Sequence, residues 1–406
     1  MKVLLIGTGG REHALAWKLA QGSALAELHA APGNPGIARL GECHPVRAED
    51  GEGLLDLARS LGIDLAVVGP EAPLVAGVAD ELRHGGVAVL GPSAAAARIE
   101  GSKTFAKDVM HAAGVATAET MSVARPPCVL KVDGLAAGKG VFVCPDQATL
   151  DEALREVARL DQSLVVEELL EGEELSLFAL ADGRNAVALA PARDYKRLAD
   201  LDQGPNTGGM GSYSPVPEIG SDEVEELLET VHRPVLAELA ARGAPFVGLL
   251  YAGLMLTESG PKVLEFNCRF GDPETQSILP RLGGDLLDAL AAAARGDLGG
   301  ARLEAADDAT VTVVLAGDGY PQRSDSGTPI EGVGAAEATG ALVFHAGTAM
   351  RGDQLVTNGG RILNVTATGD SVEEARRMAY GACELISFSG MQYRRDVAEK
   401  AVNVVG

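Results

Sequence analysis

Glu265 and Asn267 stand two residues apart in Val263-Leu-Glu-Phe-Asn-Cys-Arg-Phe-Gly-Asp-Pro-Glu274, alternating with apolar Leu264 and Phe266. In a strand, alternate side chains share a face, so both oxygens reach the same side. Two hard oxygen ligands suit Mg2+ (or Mn2+), which keeps waters and takes phosphate oxygens as its other ligands. Arg269 follows at a distance suited to charge developing on a transferring phosphoryl group. A buried, hydrogen-bonded Glu–Asn pair with no metal is the competing account of the same residues.

A phosphate site is expected in Lys131-Val-Asp-Gly-Leu-Ala-Ala-Gly-Lys-Gly140, with Gly134, Gly138 and Gly140 between Lys131 and Lys139. Backbone without Cβ atoms closes its N–H groups over a polyphosphate. No G-K-[ST] opens a helix, so this is not a Walker A loop. A plain flexible hairpin is the alternative. Next comes Val165-Val-Glu-Glu-Leu-Leu-Glu-Gly-Glu-Glu174, an apolar strand running into acids at a candidate hinge. There the backbone can read an adenine edge and a carboxylate can hold ribose hydroxyls, although acid clusters are usually solvated faces. Arg193-Asp-Tyr-Lys-Arg197 and the glycine-rich run from Gly204 to Gly211 look like a phosphate clamp and a closing lid. An ordinary surface loop reads the same way. Gly7-Thr-Gly-Gly-Arg-Glu12 resembles a dinucleotide fingerprint but carries Glu12 at the third glycine position. Its Gly9 and Gly10 N–H groups suit one phosphate at a helix N-terminus. The seven histidines show no metal-ligand spacing and are assigned to packing or surface.

These residues need a scaffold. Across the first hundred residues, strand-like runs at 3–6, 65–68 and 87–90 alternate with helical patterns at 11–21, 53–61 and 74–84. That alternation predicts a parallel sheet, with ligands at the carboxyl ends of its strands. From residue 101 the runs 128–132, 141–144, 163–168, 174–181 and 186–190 predict a small antiparallel arrangement with one helix at 147–159. A helix at 222–242, strands at 247–256 and 262–267 and a helix at 285–294 follow. The last hundred residues are strand-rich, and Asn358-Gly359 predicts a tight primed hairpin between 354–357 and 361–366.

Aromatics are only 4% of a chain that is 46% hydrophobic, so its cores are mostly aliphatic. The net charge of −23 disfavours non-specific binding to nucleic acid or to anionic membranes. A phosphate ligand stays compatible, since it needs only local N–H groups and cations. Five scattered cysteines with no C-x-x-C pair argue against a disulfide framework or a structural zinc. No signal-like or membrane-spanning run occurs, so a cytoplasmic protein is expected. A monomer is the expected state, with a weak dimer as the alternative.

The order glycine hairpin, acidic hinge, Glu-x-Asn strand resembles the ATP-grasp superfamily. Within it, the chain is similar to the glycinamide ribonucleotide synthetases, or phosphoribosylamine–glycine ligases. The likeness is carried by the motifs above together with Ala31-Pro-Gly-Asn-Pro-Gly36, Gly69-Pro-Glu-Ala-Pro-Leu74, Glu100-Gly-Ser-Lys103 and the Thr357–Arg361 segment. It implies an α/β fold: an N-terminal Rossmann-like domain (1–102), a two-lobed ATP-grasp domain (103–307, small lobe about 116–187) and a strand-rich α+β C-terminal domain (308–406). It implies that ATP lies between the lobes, with Lys103 and Lys131 on its phosphates and Glu167, Glu168 and Leu170 bordering adenine. Glu174 then takes the ribose, Lys196 approaches the γ-phosphate, and Glu265 and Asn267 bind the metal near Arg269. The sugar phosphate falls to Gly9, Gly10 and Glu71, and the glycine ammonium to Asp194 and Asp272. The implied reaction joins glycine to 5-phosphoribosylamine through glycyl phosphate, in purine synthesis. Many ATP-grasp enzymes carry a further acid on the preceding strand; Tyr251-Ala-Gly-Leu-Met255 has none. Competing readings are another ATP-grasp enzyme with a different acceptor, such as a biotin carboxylase relative, a nicotinamide oxidoreductase, and a non-catalytic nucleotide sensor.

Overall fold

Apolar strands and amphipathic helices alternate at the start of the chain: β1 (Lys2–Gly7), α1 (Gly10–Leu19), β2 (Glu27–Pro32), β3 (Glu42–Cys43) and α2 (Gly51–Leu61). They continue as β4 (Leu65–Val68), α3 (Glu71–Ala76), α4 (Val78–His84) and β5 (Ala88–Leu90). The computed structural model describes residues 1–135, 140–159, 163–299 and 303–404. The strands pair in parallel in the order β3-β2-β1-β4-β5. Val3, Leu4, Leu5 and Ile6 of β1 are all fully buried, as a parallel strand covered on both faces requires. The single helix expected over 74–84 is two, because Gly77 turns left-handed at φ 92° between α3 and α4.

Helices α5 (Ala94–Gly101) and α6 (Lys103–Ala113) lead into a three-stranded sheet of order β7-β6-β8. It comprises β6 (Cys128–Val132), β7 (Val141–Cys144) and β8 (Leu164–Glu168), backed by α7 (Gln147–Val157). Its own small core is Cys128, Leu130, Cys144, Leu150 and Ala153. The next two strands, β9 (Glu173–Asp182) and β10 (Ala186–Ala188), were expected in the same arrangement and do not join it. Every residue of β9 from Leu175 to Asp182 is buried, so the strand is covered on both faces and belongs inside a larger sheet.

That sheet has the order β10-β9-β15-β16, with β15 (Val247–Thr257) and β16 (Gly260–Asn267). Between them come β11 (Arg193–Asp194), β12 (Arg197–Ala199), β13 (Gln203–Asn206), β14 (Gly211–Ser214), α8 (Ser221–Leu227) and α9 (Arg233–Ala241). The helix expected over 222–242 is interrupted by a π-helical turn at Leu228–His232, just before Pro234, which has no N–H for the α pattern. Helices α10 (Glu274–Ile278) and α11 (Leu286–Arg295) complete this region.

The C-terminal part contains β17 (Ala309–Ala316), β18 (Asp325–Pro329), α12 (Val333–Glu337), β19 (Leu342–His345), β20 (Thr348–Arg351), β21 (Gln354–Gly359) and β22 (Arg361–Gly369). Helices α13 (Val372–Cys383) and α14 (Glu399–Val404) follow. One sheet runs β11-β14-β17-β22-β19 and another β18-β21-β20. The first recruits β11 and β14 from the middle of the chain, which fastens the glycine-rich segment to the C-terminal region.

The Asn-Gly hairpin is not formed. Asn358 and Gly359 are strand residues of β21 opposite Ser326 and Asp325, and β22 crosses into the other sheet. Neither residue has positive φ, which a primed turn demands. The glycine serves a close approach instead, since a Cβ on Gly359 would lie 2.8 Å from the Gly347 Cα. Gly359→Ala is therefore expected to cost about 1–3 kcal/mol, the range for overpacking, and to lower the thermal midpoint. Asn358→Thr, which a left-handed turn position would reject, should leave the midpoint unchanged because residue 358 is an exposed strand position. A melting curve of each variant checks both, and a large loss for Asn358→Thr would contradict this register.

Candidate functional site

Strand β16 is held against β15 with Tyr251 opposite Asn267 and Gly253 opposite Glu265, so both polar side chains start from the same face. Asn267 is buried. Burial opposes ionisation of Glu265, but Lys196, Lys131 and Lys103 outweigh it and hold the carboxyl below its usual range. Lys131, from β6, donates to the Leu264 carbonyl at 2.7 Å and pairs with Glu167 at 2.7 Å. Glu167 is in turn 2.8 Å from Lys107 of α6, a residue that the sequence reading missed. All three side chains are buried, and removing one partner of such a cluster costs about 3–5 kcal/mol because a charge is left unpaired. Burial lowers the Lys107 pKa, and the hydrogen bond to Glu167 pulls it back. Glu167 thus borders the cleft mainly as the anchor of Lys131.

Arg269 joins this strand to helices α3 and α5. Its guanidinium meets Glu71 at 3.2 Å, Glu100 at 3.2 Å and the Asn267 side-chain oxygen at 3.2 Å. Burial works against the charge on Arg269, but Glu100 and Glu71 overcome it and raise its pKa. Glu71 is likewise opposed by burial, yet Arg269 and Arg11 hold its carboxyl down at about 2. Glu100 behaves oppositely: burial raises its pKa, Arg269 counters and Glu71 adds to the rise. Its carboxylate also accepts the Cys268 N–H at 2.8 Å.

The turn after β1 corrects one expectation. The Gly9 N–H donates to the Glu12 carboxylate at 2.5 Å, so this donor is not open to a phosphate. Glu12 is 1% exposed and fills the space left by Gly7 and Gly69, where added Cβ atoms would come within 2.7 Å and 2.1 Å of it. The carboxylate takes up the N–H donor that a phosphate at this turn would use. Gly10 is buried against the C-terminal strand β22, with a Cβ there only 2.1 Å from the Asn364 amide. His13 has the packing role expected of it, accepting the His345 N–H on its Nδ1 at 2.8 Å.

Lys196 and Asp194 stand at the opposite wall, on and beside β11. Lys196 pairs with Glu174 at 2.5 Å. Burial would lower its pKa, but Asp194 and Glu174 raise it well above the ordinary lysine value. Burial lifts the Asp194 carboxyl to about 7; Lys196 opposes, while Glu274, Glu174 and Glu265 add to the rise. Glu274, buried at the start of α10, has no role legible in the sequence motif and acts on Asp194 through its charge. Asp272 is already engaged: its oxygens accept from Gln276 at 2.7 Å and pair with Arg361 at 2.9 Å. Arg361 also donates to the Asp272 carbonyl at 2.7 Å and to the carbonyl of Gly208, whose N–H donates to the Tyr320 hydroxyl at 2.9 Å. The glycine-rich segment is thereby tied to the C-terminal region and is not a free surface loop. Sequence spacing gave no sign of Arg361 as a site residue.

At the cleft's outer end, Lys103 donates to the Gly134 carbonyl at 2.6 Å. Asp133, also missed, caps α6 by accepting the Lys103 N–H at 2.6 Å and the Thr104 hydroxyl at 2.8 Å. The Gly140 carbonyl accepts the Val132 N–H at 2.8 Å and closes the hairpin base. Gly138 and Lys139 lie outside the described residues. Glu168 accepts from Lys262 at 2.8 Å and from the Glu119 N–H at 3.0 Å, which holds its carboxyl below the usual range. Leu170, Glu174, Lys103, Lys131, Lys196 and Glu265 all border one cleft of about 920 Å³, together with Asn267, Arg269 and Glu71. Gly9 and Gly10 do not line it.

Comparison with known proteins agrees over the whole chain. Residues 1–100 match the N domain, 101–275 the ATP-grasp (A) domain and 310–400 the C domain of phosphoribosylglycinamide synthetase. A phosphoribosylamine–glycine ligase of Streptomyces coelicolor is 51% identical, and one of Rhizobium meliloti 48%, each alignment covering 99% of both chains. The crystal structure of a phosphoribosylamine–glycine ligase from Thermotoga maritima superposes with a TM-score of 0.84 at 37% identity, covering 98% of this chain and 100% of that one. A biotin carboxylase domain from Hydrogenobacter thermophilus shares the fold at a TM-score of 0.68 and 16% identity, covering 100% of this chain and 98% of its own. Against that agreement the oxidoreductase reading falls, in step with the Glu12 carboxylate in the dinucleotide turn. The chain belongs to the phosphoribosylglycinamide synthetase family.

Proposed function

We propose that the protein is an ATP-dependent carbon–nitrogen ligase joining glycine to 5-phosphoribosylamine, giving glycinamide ribonucleotide, ADP and phosphate in purine biosynthesis. The reading rests on one observation: Glu265 and Asn267 share a cleft with Lys131, Lys196 and Arg269, alongside the acidic hinge. The relatives bearing the ligase name supply the substrates. In this reading residues 1–102, 103–307 and 308–406 are its three domains.

Lys103, Lys131 and the glycine hairpin hold the ATP phosphates, while Glu168, Leu170 and the neighbouring backbone border adenine and Glu174 reaches the ribose. Glu265 and Asn267 fit a divalent cation, Mg2+ or Mn2+, because both present hard oxygens and the surrounding lysines keep Glu265 ionised. When bound there, such a cation would supply neutralisation of phosphate charge. Lys196 stands at the γ-phosphate. A glycine carboxylate oxygen attacks the γ-phosphorus, the bond to the β–γ bridging oxygen breaks and ADP leaves. The amine of phosphoribosylamine then attacks the acyl carbon and expels phosphate, with Arg269 near the acyl phosphate. Positioning and charge neutralisation dominate both steps. Asp194 is the acid left for the glycine ammonium, since Asp272 is committed to Arg361. Glu71 faces the sugar phosphate's side of the cleft, with Gly10 behind it and Gly9 reserved for Glu12.

Purified protein given ATP, glycine and phosphoribosylamine should form ADP only when both co-substrates are present. ADP formation indifferent to glycine would sink the assignment. Glu265→Gln removes a charged ligand and is expected to lower kcat by at least about 100-fold, the scale of a lost electrostatic stabiliser, with the fold kept. A retained kcat would move the metal elsewhere.

The pH dependence follows from Asp194. Its carboxyl is raised to about 7, so the carboxylate that pairs with an ammonium is populated only as pH rises through that value. Since kcat/KM reports the free enzyme, kcat/KM for glycine should climb with pH across the neutral range and level off above it. Asp194→Asn should lower kcat/KM and flatten this limb. A wild-type profile flat through neutrality would remove Asp194 from that role.

A further inference from the structure

At the outer edge of the parallel sheet, away from the cleft, three potential ligands converge. His29 lies in the middle of β2, and Glu42 sits beside it in register on β3. His44 follows two residues later, its backbone N–H bonded to the Ala30 carbonyl at 2.8 Å. The alternation that sends Glu42 and His44 to one side sends Cys43 to the other, where its thiol approaches the Asn34 carbonyl. His29 Nδ1 is 3.1 Å from His44 Nε2 and 4.0 Å from a Glu42 oxygen. All three ligand atoms lie within 4.8 Å of one another. The sequence reading found no ligand spacing among the histidines because these two are 15 residues apart and are joined only by parallel strand pairing.

We propose that His29, His44 and Glu42 form a binding site for a zinc-class divalent cation that fastens the edge strand β3 to β2. Ligands at about 2.0–2.1 Å around a tetrahedral ion are about 3.3 Å apart, close to the His–His separation. The Glu42 side chain is 69% exposed, so it can rotate to close the remaining gap. Two imidazoles and one carboxylate, with a fourth position open to water, select a borderline-soft ion over Mg2+. The second ring nitrogen of His29 supplies an independent sign. It is held by Glu27 at 3.2 Å, and Glu27 is itself fixed by Lys2 at 3.0 Å. A carboxylate on the far nitrogen of a ligating histidine sets its tautomer and orientation. His29 is 5% exposed, so it offers one pre-set nitrogen from a rigid strand. The bond it makes to the ion replaces the hydrogen bond the two rings otherwise share. Pinning β3, only two residues long, also keeps the outer edge of β2 covered.

The test uses the full chain stripped with chelator and titrated with Zn2+ by calorimetry and with Co2+ by visible absorption. Wild type should bind one Zn2+ more per chain than His44→Ala and show the strong visible bands of tetrahedral Co2+, which the variant lacks. Glu27→Gln should weaken this Zn2+ affinity about 10–100-fold, as loss of a supporting partner does. Zinc-free His44→Ala assayed with Mg2+ should keep wild-type ligase turnover, which separates this site from the cleft. If His44→Ala does not fold, Glu42→Gln, at an exposed position, takes its place with the same expected losses. Equal Zn2+ stoichiometry in wild type and variant, or a wild type without the Co2+ bands, overturns the proposal and leaves a hydrogen-bonded histidine pair.

Discussion

The Arg269 guanidinium is the interaction on which the rest of the molecule depends. It follows the Glu-x-Asn strand and is shared by Glu71 at the start of α3, Glu100 of α5 and Asn267. A charge in such a place is tolerated only when it is paired and its hydrogen bonds are met. The demand runs in both directions. Glu71 is kept ionised at about 2 by this arginine and Arg11, while burial and Glu71 push Glu100 upward. The three groups therefore tie the helices that follow β4 and β5 to the end of β16. A two-substrate ligase needs such rigid positioning of its two halves.

A second balance operates across the cleft. Lys131 is neutralised from behind by buried Glu167, which also holds Lys107, so its position is set before any nucleotide arrives. Lys196 has its own acids, Glu174 and Asp194. Both cleft lysines are thus pre-organised on carboxylates. The excess acid falls on Asp194, whose carboxyl rises to about 7. Charges gathered in this way favour a cationic ligand beside Asp194.

Motifs were legible where the chemistry is local. Glu265 and Asn267 share a face by strand alternation alone, and the strands of the glycine hairpin, 128–132 and 141–144, were bounded correctly from apolar runs ended by turn residues. What the sequence hid depends on distant pairing. Lys107 of α6 meets Glu167 of β8, and Arg361 meets Asp272 across 89 residues. Neither leaves a periodic trace. Gly359 was misread for a related reason: local turn statistics give Asn-Gly one meaning, but tertiary contact with Gly347 overrode it. The same holds for β9, whose continuous burial placed it in the larger sheet, beyond the reach of the hairpin logic used for its neighbours.

Glu12 shows how one side chain can redirect a motif shared by unrelated enzymes. In a dinucleotide turn the third glycine lets helix and strand approach, and the N–H groups stay free for pyrophosphate. A carboxylate at that position is affordable only if neighbouring backbone makes room and donors neutralise it. Gly7 and Gly69 make the room; the Gly9 N–H and Arg11 supply the donors. Arg11 in turn donates to the Phe270 carbonyl at 3.1 Å, immediately after Arg269. The residue that closes the turn to a dinucleotide is thereby wired to the segment carrying Arg269.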